Sequence, residues 1–143
     1  MKNGYQKSIL AGAIAGGISG VIVFLSTILI FIPLGLEETL IEIEKWTPGL
    51  YVALVFSIVT HDVFWGIVLG LLYSKVYGIV PGEGIMKGLT YAMVIYLIAN
   101  IRTAHIIGSF GQMLWPKVFI WSGIAYFIPY GLVLGYLYKK PSE

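Results

Sequence analysis

His61 and Asp62 stand side by side in the run "SIVTHDVFWGIVLGLLYSK", residues 57 to 75, which is otherwise almost wholly apolar. An imidazole beside a carboxylate can share, hold or relay a proton, because one group changes charge near neutrality and the other accepts hydrogen bonds. A second apolar run, "LIANIRTAHIIG", carries Asn100, Arg102 and His105. These five residues form the candidate polar cluster, and the two histidines raise the alternative of a haem held between helices. Helical rise puts His61 and His105 about 8 Å apart in depth, which argues against both reaching one iron. "THD" alone is too short to count as a metal motif, so no metal site is assigned.

Other chemistries find no residues. The chain has no cysteine, which removes thiolate nucleophiles, disulfides and Cys-type zinc or iron–sulfur sites. It has no H-E-x-x-H, no glycine-rich phosphate loop and no serine with a histidine at usable spacing. No catalytic residue and no enzymatic activity is expected, and no cofactor beyond the haem alternative.

The elements that hold the cluster follow from composition. Of 143 residues, 58% are apolar and only 11% charged, and the mean hydropathy is +0.88; a soluble domain carries about a quarter charged residues. The apolar runs reach the roughly 20 residues needed to cross a bilayer. We therefore expect an all-α integral membrane bundle of four transmembrane helices, one domain over residues 1–143, spanning about 8–32, 49–73, 85–106 and 117–138. The first run is far longer than the apolar core of a cleavable signal peptide and is read as an anchor. Thr47 and Pro48 suit the cap and first turn of the second helix. "KVYGIVPGEG" reads as a turn-rich link to the third, and "GSFGQMLWPK" as an outer loop before the fourth. Between the first two spans, 36–46 alternates Leu36, Leu40, Ile41 and Ile43 with Glu37, Glu38, Glu42 and Glu44, and ends at Trp46. That pattern fits a short interfacial helix better than a cation site, because no paired spacing favours coordination.

Lysine and arginine placement sets orientation, since positive residues are retained on the cytoplasmic side. With the N-terminus inside, that side collects Lys2, Lys7, Lys75, Lys87, Lys139 and Lys140, against Lys45, Arg102 and Lys117 outside. Both termini are expected to be cytoplasmic in a multi-pass cell-membrane protein. A net charge of +2 in so apolar a chain reads as a topology signal, and no nucleic-acid partner is expected.

Glycine spacing predicts how the helices meet. Gly12, Gly16 and Gly20 recur every four residues, as do Gly66 with Gly70 and Gly131 with Gly135. Each set is a smooth stripe where another backbone can approach closely, within the chain or between copies. "WGIVLGLLYSK" (65–75) and "YGLVLGYLYKK" (130–140) share these glycines, a Val-Leu pair, a tyrosine and a final lysine at an offset of 65. "GYQKSILAG" and "GEGIMKGLT" match less fully, through Gly4 with Gly84 and Lys7 with Lys87, at an offset of 80. The pattern predicts two repeated helical hairpins, as small transporters can be built.

His61 and Asp62 then lie about 18 Å from the cytoplasmic end of their span. An ionised side chain at that depth costs at least about 2.5–3.5 kcal/mol, so it should pair, take up a proton or face water. Arg102 lies near enough in depth for an Asp62–Arg102 pair. Two functions use such a cluster. In one it is a buried polar clamp that fixes the register of the second and third helices, and the protein is an accessory or assembly subunit of a larger membrane complex. In the other, Asp62 and His61 carry protons in a proton-coupled transporter or channel. The partners are the lipid bilayer and other membrane subunits or further copies of the chain. "GLLYSKVYGIVPGEGIMKGLTYA" resembles a stretch of small bacterial and archaeal four-span membrane proteins, the YagU-like ones among them. That resemblance implies the four-span architecture and no particular activity.

Overall fold

The computed structural model describes residues 2–26, 28–29, 47–108 and 115–138. They form four helices and no strand: α1 (Lys2–Ser26), α2 (Pro48–Val76), α3 (Gly84–Gly108) and α4 (Trp115–Leu137). The glutamate-rich stretch 36–46, expected to be an interfacial helix, lies outside the described residues.

Local chemistry places the helix ends where the sequence signals them. α2 opens at Pro48 directly after Thr47, because proline's missing N–H costs nothing in a first turn. Between α2 and α3 the chain turns through Gly82 at φ 99° and Gly84 at φ 50°, a region that residues with a Cβ rarely enter. Val76 O closes α2 by accepting from Ile79 N and Val80 N at 3.0 and 3.2 Å, and Glu83 O opens α3 by accepting from Met86 N at 3.1 Å. Inside α4, Pro129 offers no N–H, so the turn before it lacks one backbone bond.

α1 packs on α2 and on α4, and α3 packs on α4. The burial pattern is inverted relative to a water-soluble core. Buried positions are small or aromatic: Ala11, Ala15, Ala92, Ser8, Ser19, Tyr73, Tyr91 and Tyr130, with Leu134 the large aliphatic among them. The large aliphatic side chains point outward, Leu10, Ile14, Ile18 and Leu25 on α1 and Val52, Val68 and Leu72 on α2. Among the described residues two stretches, Gly4–Ser26 and Val55–Val76, are long and apolar enough to cross a membrane. The apolar stretches of the other two helices, Gly84–Ala99 and Ser122–Leu137, are shorter. By length and composition the structure thus matches two of the four expected spans.

Both helix pairs close on glycine. A Cβ on Gly66 would sit 2.8 Å from Gly16 Cα, and one on Gly70 would sit 2.6 Å from Ser8 O. In the second pair, a Cβ on Gly135 would sit 2.8 Å from Gly84 O, and one on Gly131 would meet Gly88 O at 2.9 Å. Contacts this short exclude side chains and let Cα–H groups face carbonyl oxygens. Numbers fall along α2 as they rise along α1, and along α4 as they rise along α3, so each pair is an antiparallel hairpin.

The two hairpins share a register, and it differs from the one the flanking residues suggest. Gly66 and Gly70 of α2 correspond to Gly131 and Gly135 of α4 at the expected offset of 65 (131 − 66). Gly12, which meets Gly66 and Gly70, corresponds to Gly88, which meets Gly131 and Gly135, an offset of 76 (88 − 12). The match of Gly4 with Gly84 and Lys7 with Lys87 is therefore one helical turn out. Packing inside the pair sets the register, and Gly4 is free of it: a Cβ there would meet nothing within 4 Å.

A hydrogen-bonded seam around Asp62

Consecutive residues on an α-helix diverge by about 100°, so His61 and Asp62 cannot face the same way. The Asp62 side chain is only 15% exposed and turns toward α1, while that of His61 is 67% exposed on the outer side of α2. Asp62 lies on bare backbone. A Cβ at Gly20 would fall 2.5 Å from its Oδ2, and one at Gly16 would run into its carbonyl oxygen. The carboxylate fits this seam because both α1 residues beneath it lack side chains.

The pair is nevertheless joined. His61 Nδ1 lies 3.3 Å from Asp62 Oδ1, and Trp65 Nε1 donates to His61 Nε2 at 3.0 Å. An indole nitrogen can only donate, so Nε2 must be the acceptor and the imidazole proton must sit on Nδ1, aimed at Asp62. The network thus assigns the tautomer and forms a chain from the open face of α2 to the α1–α2 seam: Trp65 to His61 to Asp62. Trp65 is one turn from His61, with ring centroids 6.3 Å apart.

Three tyrosines complete the seam from the other hairpin. Tyr126 Oη and Tyr130 Oη of α4 donate to the carbonyls of Asp62 and Gly66 at 3.4 and 2.9 Å. Their rings stack with centroids 5.7 Å apart and planes 10° apart. Tyr91 Oη of α3 donates to Leu69 O at 2.8 Å. A helical side chain leans back over the preceding turn, so the missing side chains of Gly66 and Gly70 leave the Asp62 and Gly66 carbonyls open for these hydroxyls. By the offset of 65, Tyr126 and Tyr130 stand where α2 carries His61 and Trp65. The second hairpin uses this face to grip α2, whereas in the first it lies half open: Trp65 is 46% exposed.

At the loop end, Tyr73 meets Tyr77, Tyr91 and Tyr138 with ring centroids 4.9–5.4 Å apart, and Lys87 Nζ sits 4.1 Å over the Tyr77 ring. Tyr73 Oη and Ser19 Oγ are buried without a hydrogen-bond partner.

Of the five expected cluster residues, the structure brings His61 and Asp62 together. Asn100, Arg102 and His105 belong to α3, but their side chains, and with them the Asp62–Arg102 pair, lie outside the described residues. The expected clamp between the second and third helices lies outside the described residues with those side chains; the described contacts of Asp62 tie α2 to α1 and α4. Both nitrogens of His61 are engaged, so a haem iron would have to displace Trp65 to reach Nε2. Among the described residues there is no group of three His, Asp or Glu side chains that could hold a metal ion. The sequence reading missed Trp65, whose spacing of four from His61 was the available signal, and the tyrosine ladder at 126 and 130, spaced likewise. No protein-family model, curated protein or solved structure matches the chain.

Proposed function

We propose that this is a four-span membrane protein with both termini cytoplasmic, and that it works as an accessory or assembly subunit, docking a larger membrane protein on the outer face of α2. The observation that carries this reading is the 67% exposure of His61 halfway along an apolar helix. Around it Ser57, Thr60, Phe64 and Trp65 are also exposed. Acyl chains offer nothing to an imidazole joined to a carboxylate, whereas the surface of another membrane protein can shield or pair it. The inverted burial supports the bilayer, since large aliphatic side chains outside and small residues inside suit lipid as solvent. Tyr91, Tyr126 and Tyr130 use their hydroxyls to hold α2 to the other hairpin, which suits a scaffold, and the reading includes no catalytic step.

The test is extraction of the C-terminally tagged protein from its native membrane in mild detergent, with the mass of what accompanies it. A stoichiometric foreign subunit, lost on His61→Leu or Phe64→Ala while the protein stays folded, is the expected result. Recovery of the chain alone, or only with copies of itself, overturns it.

One observation favours the alternative, a proton-coupled transporter or channel. His61, exposed on the open face, is joined to Asp62 at the α1–α2 seam, and an imidazole beside a carboxylate can pass a proton between the two. Asp62→Asn would then abolish proton-coupled flux in vesicles and leave the fold unchanged.

A further inference from the structure

We propose that His61 is a proton-operated latch on Trp65: the neutral imidazole holds the indole in place, and protonation releases it. The inference stands on geometry alone and does not need the docking function. Trp65 Nε1–H donates to His61 Nε2 at 3.0 Å, which requires a lone pair on Nε2. The Nδ1–H of the same ring faces Asp62 Oδ1 at 3.3 Å.

A proton arriving from the open side of the ring can bind only at Nε2, because Nδ1 already carries one. The product has N–H facing N–H between His61 and Trp65, two donors with no acceptor, so that bond is lost. The new positive charge is held on the other side by Asp62 through Nδ1–H, and no rotation of the ring restores the indole bond, because an imidazolium has no acceptor nitrogen. Trp65 is the part free to move: it is 46% exposed, and its described polar partner is His61.

Among the described residues, these three make up the latch. α1 presents Gly16 and Gly20 to Asp62, neither of which titrates. Among the described side chains of α4, Tyr126 is the titratable neighbour, and its hydroxyl rests on the Asp62 carbonyl. The geometry also distinguishes this site from its counterpart in the second hairpin, where Tyr126 and Tyr130 stack and bond to α2.

The test uses the full chain in detergent, taken from about pH 8 to about pH 5, the range in which imidazoles change charge. Nitrogen-15 NMR of labelled histidine, with the His61 signal identified by its loss in His61→Gln, should show Nε2 unprotonated at the alkaline end and protonated at the acid end. Trp65 emission, isolated by changing Trp46, Trp115 and Trp121 to phenylalanine, should shift with the same midpoint. It should stay flat in His61→Gln. A proton on Nε2 at the alkaline end, a His61 that stays neutral throughout, a Trp65 emission that ignores His61 titration, or one that still responds in His61→Gln would each overturn the latch. Should the tryptophan-reduced chain not fold, the indole N–H signal of Trp65 in the unaltered chain supplies the same readout.

Discussion

Asp62 rests on Gly20: a Cβ added to that glycine would come 2.5 Å from the carboxylate Oδ2 and 2.9 Å from the aspartate Cβ. One turn earlier, Gly16 lies under the Asp62 carbonyl in the same way. The two contacts differ in what can yield. A side chain can rotate away from a methyl group, and a helix backbone can move only as a whole.

Gly16→Leu and Gly20→Ala should therefore separate. Gly16→Leu must push α1 off α2, and it should destabilise the protein by at least the 1–3 kcal/mol typical of an overpacked core. Gly20→Ala should cost less: the carboxylate can rotate away, and only the 2.9 Å approach to Asp62 Cβ, which rotation does not relieve, asks the helices to part slightly. Thermal unfolding and yield in detergent check both, and normal yield, stability and oligomer size in Gly16→Leu would refute the packing assignment.

The shared register predicts paired phenotypes. Gly12→Val and Gly88→Val meet equivalent backbone in the two hairpins and should destabilise to a similar degree, while Gly78→Ala, with open space around it, should be neutral. If instead the offset of 80 governed the packing, Ala92, and not Gly88, would answer to Gly12.

The tyrosine hydroxyls should rank by their bonds. Tyr130→Phe removes a 2.9 Å hydrogen bond from a fully buried site, whereas Tyr126→Phe removes one of 3.4 Å. Losses of about 0.5–1.5 kcal/mol for the first and less for the second are expected in unfolding measurements.

Orientation can be read directly because the chain has no cysteine to interfere. Single cysteines at Gly4 and Lys140 should react with an impermeant maleimide only after the cytoplasmic side is opened, and one at Glu42 should react in intact cells. The reverse pattern would invert the proposed topology.

Much of this was legible along the chain. Four helices, the start of α2 at Thr47-Pro48 and the turn at "PGEG" follow from short-range rules: which residues cap, which lack an N–H, and which tolerate positive φ. Glycines spaced by four announced close-packed faces, since spacing alone defines a stripe on a helix. Those properties depend on neighbours within a turn or two, and the sequence by itself determined them. The partner of each stripe, the offset of 76 between α1 and α3, and the turn of Asp62 inward and His61 outward were decided only by the tertiary structure. Adjacent residues on a helix point about 100° apart, and which direction is the inside depends on where α1 and α4 lie. The same holds for Trp65, whose indole bond became visible only once the ring of His61 was fixed in space.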